Sequence, residues 1–124
     1  MKYGILIVSH VPEIAKGLPK LLEQVAPDIS ITYAGGTEEN EIGTSINKIT
    51  KAVDDNKANK ILAFYDLGSA RMNLEMACEM SDKEIRIHDT ALIESAYVAA
   101  SLLQVNTPID EIEKQLADLK VKGD

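Results

Sequence analysis

Apolar positions along this chain follow two alternating rhythms. Short unbroken apolar runs end in polar turns, and the longer stretches between them repeat at intervals of three and four. The first run, Ile5-Leu6-Ile7-Val8, sits in a strand predicted over residues 3–8. Ile14, Leu18, Leu21, Leu22 and Val25 then share one face of a helix over 13–25, because such spacings fall on one side of a 3.6-residue turn. Pro19 lies in its middle; it removes a backbone donor and predicts a kink. Ile29, Ile31 and Tyr33 alternate with their neighbours and predict a second strand over 29–34. A loop from Gly35-Gly36 to Gly43 leads to a helix capped by Thr44 or Ser45, with Ile46, Ile49 and Val53 as its apolar face. A third strand over 60–65, the turn Asp66-Leu67-Gly68-Ser69 and a helix over 70–80 follow. The fourth strand spans 84–88, with Ile85 and Ile87 on one side. A rather apolar helix over 90–103 and an amphipathic one over 108–120, with Pro108 near its start, complete the pattern. Residues 121–124 are expected to fray.

Strand and helix alternate throughout, which predicts an α/β fold: a doubly wound, mainly parallel sheet with helices on both faces. Residues 1–124 read as one domain, long enough for a single core. The net charge of −7 argues against nucleic acid and anionic membranes as partners. It suits a protein that meets more basic partner surfaces. No apolar run approaches bilayer-spanning length, and residues 4–8 are too short for the core of a signal peptide. One cysteine, Cys78, leaves no internal disulfide and fits a reducing cytosol.

In open α/β sheets the working crevice lies outside the carboxyl ends of the strands. Three loops converge there on this reading. The first holds Ser9 and His10; the second holds Gly35, Gly36, Thr37, Gly43, Thr44 and Ser45; the third holds Asp66, Gly68 and Ser69. Together they offer an imidazole, a carboxylate, hydroxyls and backbone N–H groups at helix starts, which is the chemistry of a phosphate site. His10 is then a general base or a nucleophile. Asp66 can hold its other ring nitrogen, fixing the tautomer and stabilising the cation that forms.

Plainer readings compete at every position. His10 can be a strand-end residue bonded to a loop carbonyl, Asp66 a turn or capping residue, and the glycines simple turn formers. His88, which also ends a strand, reads as a surface histidine near the next helix. Met72, Met76 and Met80, four residues apart, read as core, with a subunit interface as the alternative; Cys78 reads as buried packing. Arg71 reads as exposed, with a phosphate or carboxylate as its possible partner. The Glu38-Glu39-Asn40-Glu41 run reads as solvated loop. No Walker loop, GxGxxG fingerprint or zinc-spaced Cys/His cluster is present.

The strings Ile7-Val8-Ser9-His10, Gly35-Gly36, Gly43-Thr44-Ser45, Asp66-Leu67-Gly68-Ser69-Ala70 with Met72-Asn73, and Ile93-Glu94-Ser95-Ala96 through Ala99-Ala100 occur in this order over nearly the whole chain. In this the sequence resembles the phosphotransferase subunits of bacterial dihydroxyacetone kinases, and more broadly the IIA domains of the mannose family of the sugar phosphotransferase system. The resemblance implies a phosphotransferase with a phosphohistidine intermediate. His10 would take phosphate from the histidine-containing phosphocarrier protein and pass it to ADP held on the nucleotide-binding kinase subunit. It also implies a homodimer, a cytoplasmic setting and a place in glycerol metabolism. No cofactor or metal is implied on this subunit; ADP or ATP with Mg belongs to the partner.

By the same resemblance Asp66 is the carboxylate near the histidine, and Ser9, Gly36, Thr37, Thr44, Ser45, Gly68 and Ser69 surround the phosphoryl group. Val11 stands where a small polar residue such as serine is expected, and Pro19 interrupts the first helix. Because some relatives carry fused phosphocarrier domains and this sequence has none, a separate protein is expected to deliver the phosphate. Two other readings stay open. One is a IIA domain of a mannose-type transporter, passing phosphate to a IIB domain. The other is a non-catalytic regulatory module of the same system.

Overall fold

The computed structural model describes residues 2–123. Its sheet holds four parallel strands: β1 (Gly4–Ser9), β2 (Ile31–Gly35), β3 (Lys60–Tyr65) and β4 (Glu84–His88), in the order β2-β1-β3-β4. The helices are α1 (Pro12–Val25), α2 (Ile46–Asp55), α3 (Arg71–Glu79), α4 (Leu92–Gln104) and α5 (Ile109–Ala117), and a 3-10 turn, Gly68–Ala70, leads into α3.

Helices on both faces explain why the central strands are apolar without alternation. Ile5 and Ile7 of β1, with Leu62 and Phe64 of β3, pack against Leu18 and Leu22 of α1, Ala96 and Ala100 of α4, and Ile112 of α5. The intervening residues Leu6, Val8, Ile61, Ala63 and Tyr65 face Ile49 and Val53 of α2 and Leu74 and Ala77 of α3. The doubly wound parallel sheet is therefore the one the sequence predicts.

Several local expectations change. The second strand begins at Ile31 rather than Ile29. Residues before it form a turn, and Ser30 O already accepts from Ile5 N–H at 2.9 Å. Tyr33, on this edge strand, is exposed. Helix α1 runs unbroken through Pro19, which is buried in it. Met72, Met76 and Met80 are not core: Leu74 and Ala77 take the inward face of α3 and leave the methionines at 70%, 46% and 65% exposure.

Residues 121–123 do not trail away. The amides of Val121 and Lys122 both donate to Asp89 O, at 3.1 and 3.2 Å, and Thr90 pairs with Lys120 as an antiparallel bridge. The expected fraying at Asp124 falls outside the described residues.

Candidate active site

Sheet order places two loops side by side. β1 is flanked by β2 and β3, and Val8 stands opposite Tyr65. The chain leaves β1 toward β2 and later returns to β3, so the carboxyl ends of β1 and β3 border the switch point where α/β sheets open a crevice. Two residues past Val8 is His10; one past Tyr65 is Asp66.

The two side chains meet. His10 Nδ1 lies 2.8 Å from Asp66 Oδ1. The second carboxylate oxygen, Oδ2, accepts from the His10 backbone N–H at 2.9 Å and from the Ser9 hydroxyl at 2.8 Å. Leu67 N–H donates to Oδ1 at 2.7 Å. Partial burial draws the Asp66 carboxyl pKa upward, but the His10 amide, the His10 ring, the Ser9 hydroxyl and the Leu67 amide outweigh it and hold the group below its ordinary value. An ionised carboxylate only accepts hydrogen bonds, so the proton of the neutral imidazole sits on Nδ1. Nε2 is left with its lone pair, and the Ser69 hydroxyl donates to it at 2.6 Å.

Local sequence explains the geometry. Asp66 accepts from the next amide in the turn that follows β3, and both its oxygens reach the end of β1. Ser9 is fully buried and bridges two loops, since its Oγ also accepts from Val11 N–H at 3.1 Å. That bond opens α1, whose N-cap position, Val11, has no capping side chain; Pro12 then takes the first helical position, where a missing N–H costs nothing. Ser69 sits in the 3-10 turn ahead of α3, where the opening backbone amides have no partner within the turn.

The arrangement is an imidazole with one nitrogen locked by a carboxylate and the other offered at the surface. A groove of about 500 Å³ along the β2 edge, lined by Tyr33, Lys48 and Lys51, includes neither His10 nor Asp66. His10 lies apart from that groove, with Nε2 at an exposed rim beside Ser69.

Residues 4–113 match the family model for mannose-type IIA domains, described as the PTS system fructose IIA component. The chain belongs to this family. Over 98% of its length it is 49% identical to the phosphotransferase subunit DhaM of the PTS-dependent dihydroxyacetone kinase of Lactococcus lactis, covering 99% of that protein. It is 42% identical to the phosphoryl donor subunit DhaM of the PEP-dependent dihydroxyacetone kinase 1 of Listeria innocua, over 97% of each chain. A crystal structure of a protein of unknown function superposes with a TM-score of 0.84 at 29% identity, over 99% of this chain and 98% of the other.

In this IIA-type domain the remaining candidates divide sharply. Ser9, Asp66 and Ser69 bond directly to His10 or to one another. The second loop is engaged with itself and its neighbours. Gly36 has φ +78°, and a Cβ there would come within 2.6 Å of Pro12 Cγ and 2.9 Å of Glu41 O, so only glycine fits. The Thr37 hydroxyl accepts from Glu41 N–H at 3.1 Å. Thr44 Oγ1 accepts from Asn73 Nδ2 at 2.8 Å, and Ser45 caps α2 by accepting from Lys48 N–H at 3.2 Å. The loop reaches the site through Gly43 N–H, which donates to His10 O at 2.9 Å. At Gly68 a Cβ would meet nothing within 4 Å, so the rim there is open.

His88 is not the surface residue its position suggests. It is 8% exposed, stacks on Phe64 with ring centroids 5.0 Å apart, and places Nε2 2.8 Å from Glu113 Oε1. Arg71 pairs with Asp89 and Glu75. Cys78 is half-buried against the α2–α3 core, where burial pushes its thiol pKa up. Sequence reasoning singled out neither Asp89 nor Lys122, although both belong to the layer behind Asp66; only their contacts reveal it.

Proposed function

We propose that this protein is a phosphohistidine relay. It takes a phosphoryl group from the histidine-containing phosphocarrier protein onto His10 and passes it to ADP on the nucleotide-binding subunit of a dihydroxyacetone kinase. One observation carries this reading: Nδ1 of His10 is committed to an ionised Asp66, which leaves Nε2 as the nucleophile. The Nε2 lone pair attacks phosphorus as the donor's N–P bond breaks. Nδ1 keeps its proton, and Asp66 stabilises the cationic ring that results. Ser69 turns its hydroxyl from the ring nitrogen to a phosphoryl oxygen. The opening amides of the 3-10 turn add donors, so positioning and charge do the work. Transfer to ADP runs the same steps in reverse.

The likeness to two DhaM subunits over nearly the full chain supports the kinase subunit as acceptor. A homodimer and a cytoplasmic setting belong to the same reading, with the nucleotide and its Mg held by the partner subunit. The family model's own description favours a second acceptor, a IIB domain of a sugar transporter.

Intact mass after incubation with phosphoenolpyruvate, enzyme I and the phosphocarrier protein tests the donor half. One acid-labile, alkali-stable phosphate is expected on wild type and none on His10→Ala. Adding the ADP-loaded kinase subunit should discharge the phosphate; discharge only by a IIB domain selects the second acceptor. A wild-type protein that takes no phosphate overturns the relay and returns the regulatory module.

A further inference from the structure

Behind Asp66 lies a second layer of charge with no part in the steps above. Tyr65, the residue before Asp66, is fully buried, and its hydroxyl donates to Asp89 Oδ1 at 2.5 Å. Arg71, at the start of α3, pairs with the same oxygen and also with Glu75. Lys122 reaches in from the carboxyl-terminal segment. Its ammonium donates to Thr90 O at 2.6 Å and lies 4.6 Å from the centre of the Tyr65 ring.

The segment that carries Lys122 is tightly placed. Its amide and that of Val121 bond to Asp89 O, and Gly123 (φ +79°) lies so close that a Cβ would come within 2.6 Å of Asp89 Oδ2. Burial lowers the lysine pKa, while the Asp66 and Asp89 carboxylates pull it back up. The ammonium thus stands on the ring of the residue that precedes Asp66 and whose hydroxyl bonds Asp89.

We infer that Lys122 is a positioning residue for the relay: held under the β3 end by Thr90, Tyr65 and Asp89, it offsets the negative charge behind His10. The inference rests on the phosphohistidine reading. A transferring phosphoryl group brings roughly two negative charges to a site that already holds Asp66, with Asp89 just behind it. Arg71 is shared between Asp89 and Glu75. Lys122, bonded to a neutral carbonyl and an aromatic face, keeps its charge available to the carboxylates and to the phosphoryl group beyond them. A unit charge one layer behind a half-buried carboxylate alters the balance by about three- to tenfold.

The test is a pH titration of the His10 imidazole nitrogens by NMR in wild type, Lys122→Met, Lys122→Arg and Asp89→Asn, with phosphotransfer rates alongside. Loss of a cation favours protonated forms nearby. Lys122→Met should therefore move the His10 midpoint and the acid limb of the rate profile to higher pH, and slow transfer about three- to tenfold. Lys122→Arg should restore both. Asp89→Asn removes an anion and should move the midpoint the other way, whereas damage to packing alone has no reason to give opposite signs. Coincident midpoints and profiles for wild type and Lys122→Met overturn the proposal, even if that variant melts earlier. Should Lys122→Met not fold, Asp89→Asn decides: a downward shift supports the assignment, and no shift or an upward one overturns it. The titration needs no phosphorylation, so a wild type that takes no phosphate would defeat the relay reading and leave this coupling separately measurable.

Discussion

His10 follows β1 and His88 ends β4, with β3 between them in one sheet, and each has a carboxylate oxygen 2.8 Å from a ring nitrogen. Their side-chain exposures, 14% and 8%, differ little. The second nitrogen separates them. His10 Nε2 meets the Ser69 hydroxyl at the rim. His88 Nδ1 is buried with no hydrogen-bond partner, and its ring lies flat against Phe64. A strand-end histidine with a carboxylate is therefore not yet a site. Reactivity needs one nitrogen locked and the other reachable, whereas His88 spends one nitrogen on Glu113 and its ring on packing.

The strongest way to break this comparison is to remove each ring in turn. His10→Ala should lose phosphorylation entirely and still fold, losing about 1–2 kcal/mol with the ring's bonds to Asp66 and Ser69. His88→Ala should be phosphorylated at a rate within a few-fold of wild type. It should lose about 2–3 kcal/mol of stability from the lost stack and the Glu113 bond. Denaturant unfolding beside the phosphorylation assay reads both. Phosphate lost in the His88 variant at full stability would erase the distinction drawn between the two rings.

Asp66→Asn sharpens the same contrast at the locked nitrogen. An amide can turn its NH2 toward Nδ1, which favours the wrong tautomer and takes the lone pair from Nε2. Transfer should fall by about 10²- to 10⁴-fold. The acid limb of stability is a second reading. The folded Asp66 pKa is lowered from 3.8, so the ionised carboxylate stabilises the fold fully above that value, and the contribution is lost as pH falls through the lower folded value. Wild type should lose stability below about pH 4 more steeply than Asp66→Asn in urea titrations across pH 2–6. Parallel curves would mean that the carboxylate's hydrogen bonds carry no net energy.

These contrasts explain what the sequence could and could not reveal. The sheet was legible because apolar runs such as Ile5–Val8 have no other reading in a chain whose helices keep their period. His10 and Asp66 were legible because strand ends in such a sheet converge. His88 was misread as exposed because its cover comes from Phe64 and α5, more than twenty residues away on either side. The methionines of α3 were misread as core because Leu74 and Ala77 already fill the inward face. Lys122 was invisible for the same reason as His88: a segment that is polar by composition is held by backbone bonds to Asp89 that no periodicity encodes.

The smallest effect distinguishes the two candidate loops through their glycines. Gly36 sits at positive φ against Pro12 and Glu41, so Gly36→Ala must distort the loop that bonds His10 O through Gly43. It should cost about 1–3 kcal/mol. Gly68 has an ordinary φ and open space where a methyl would go. Gly68→Ala should therefore leave the isolated protein within about 0.5 kcal/mol of wild type. Its methyl would point into the rim beside Ser69, so any loss should appear in transfer between proteins and not in unfolding. A partner that approaches over the 3-10 turn would make Gly68→Ala slow to accept phosphate at low donor concentration and normal at saturation. Equal rates at every donor concentration would put the docking path on the other side of His10, over the loop that Gly43 ties to it.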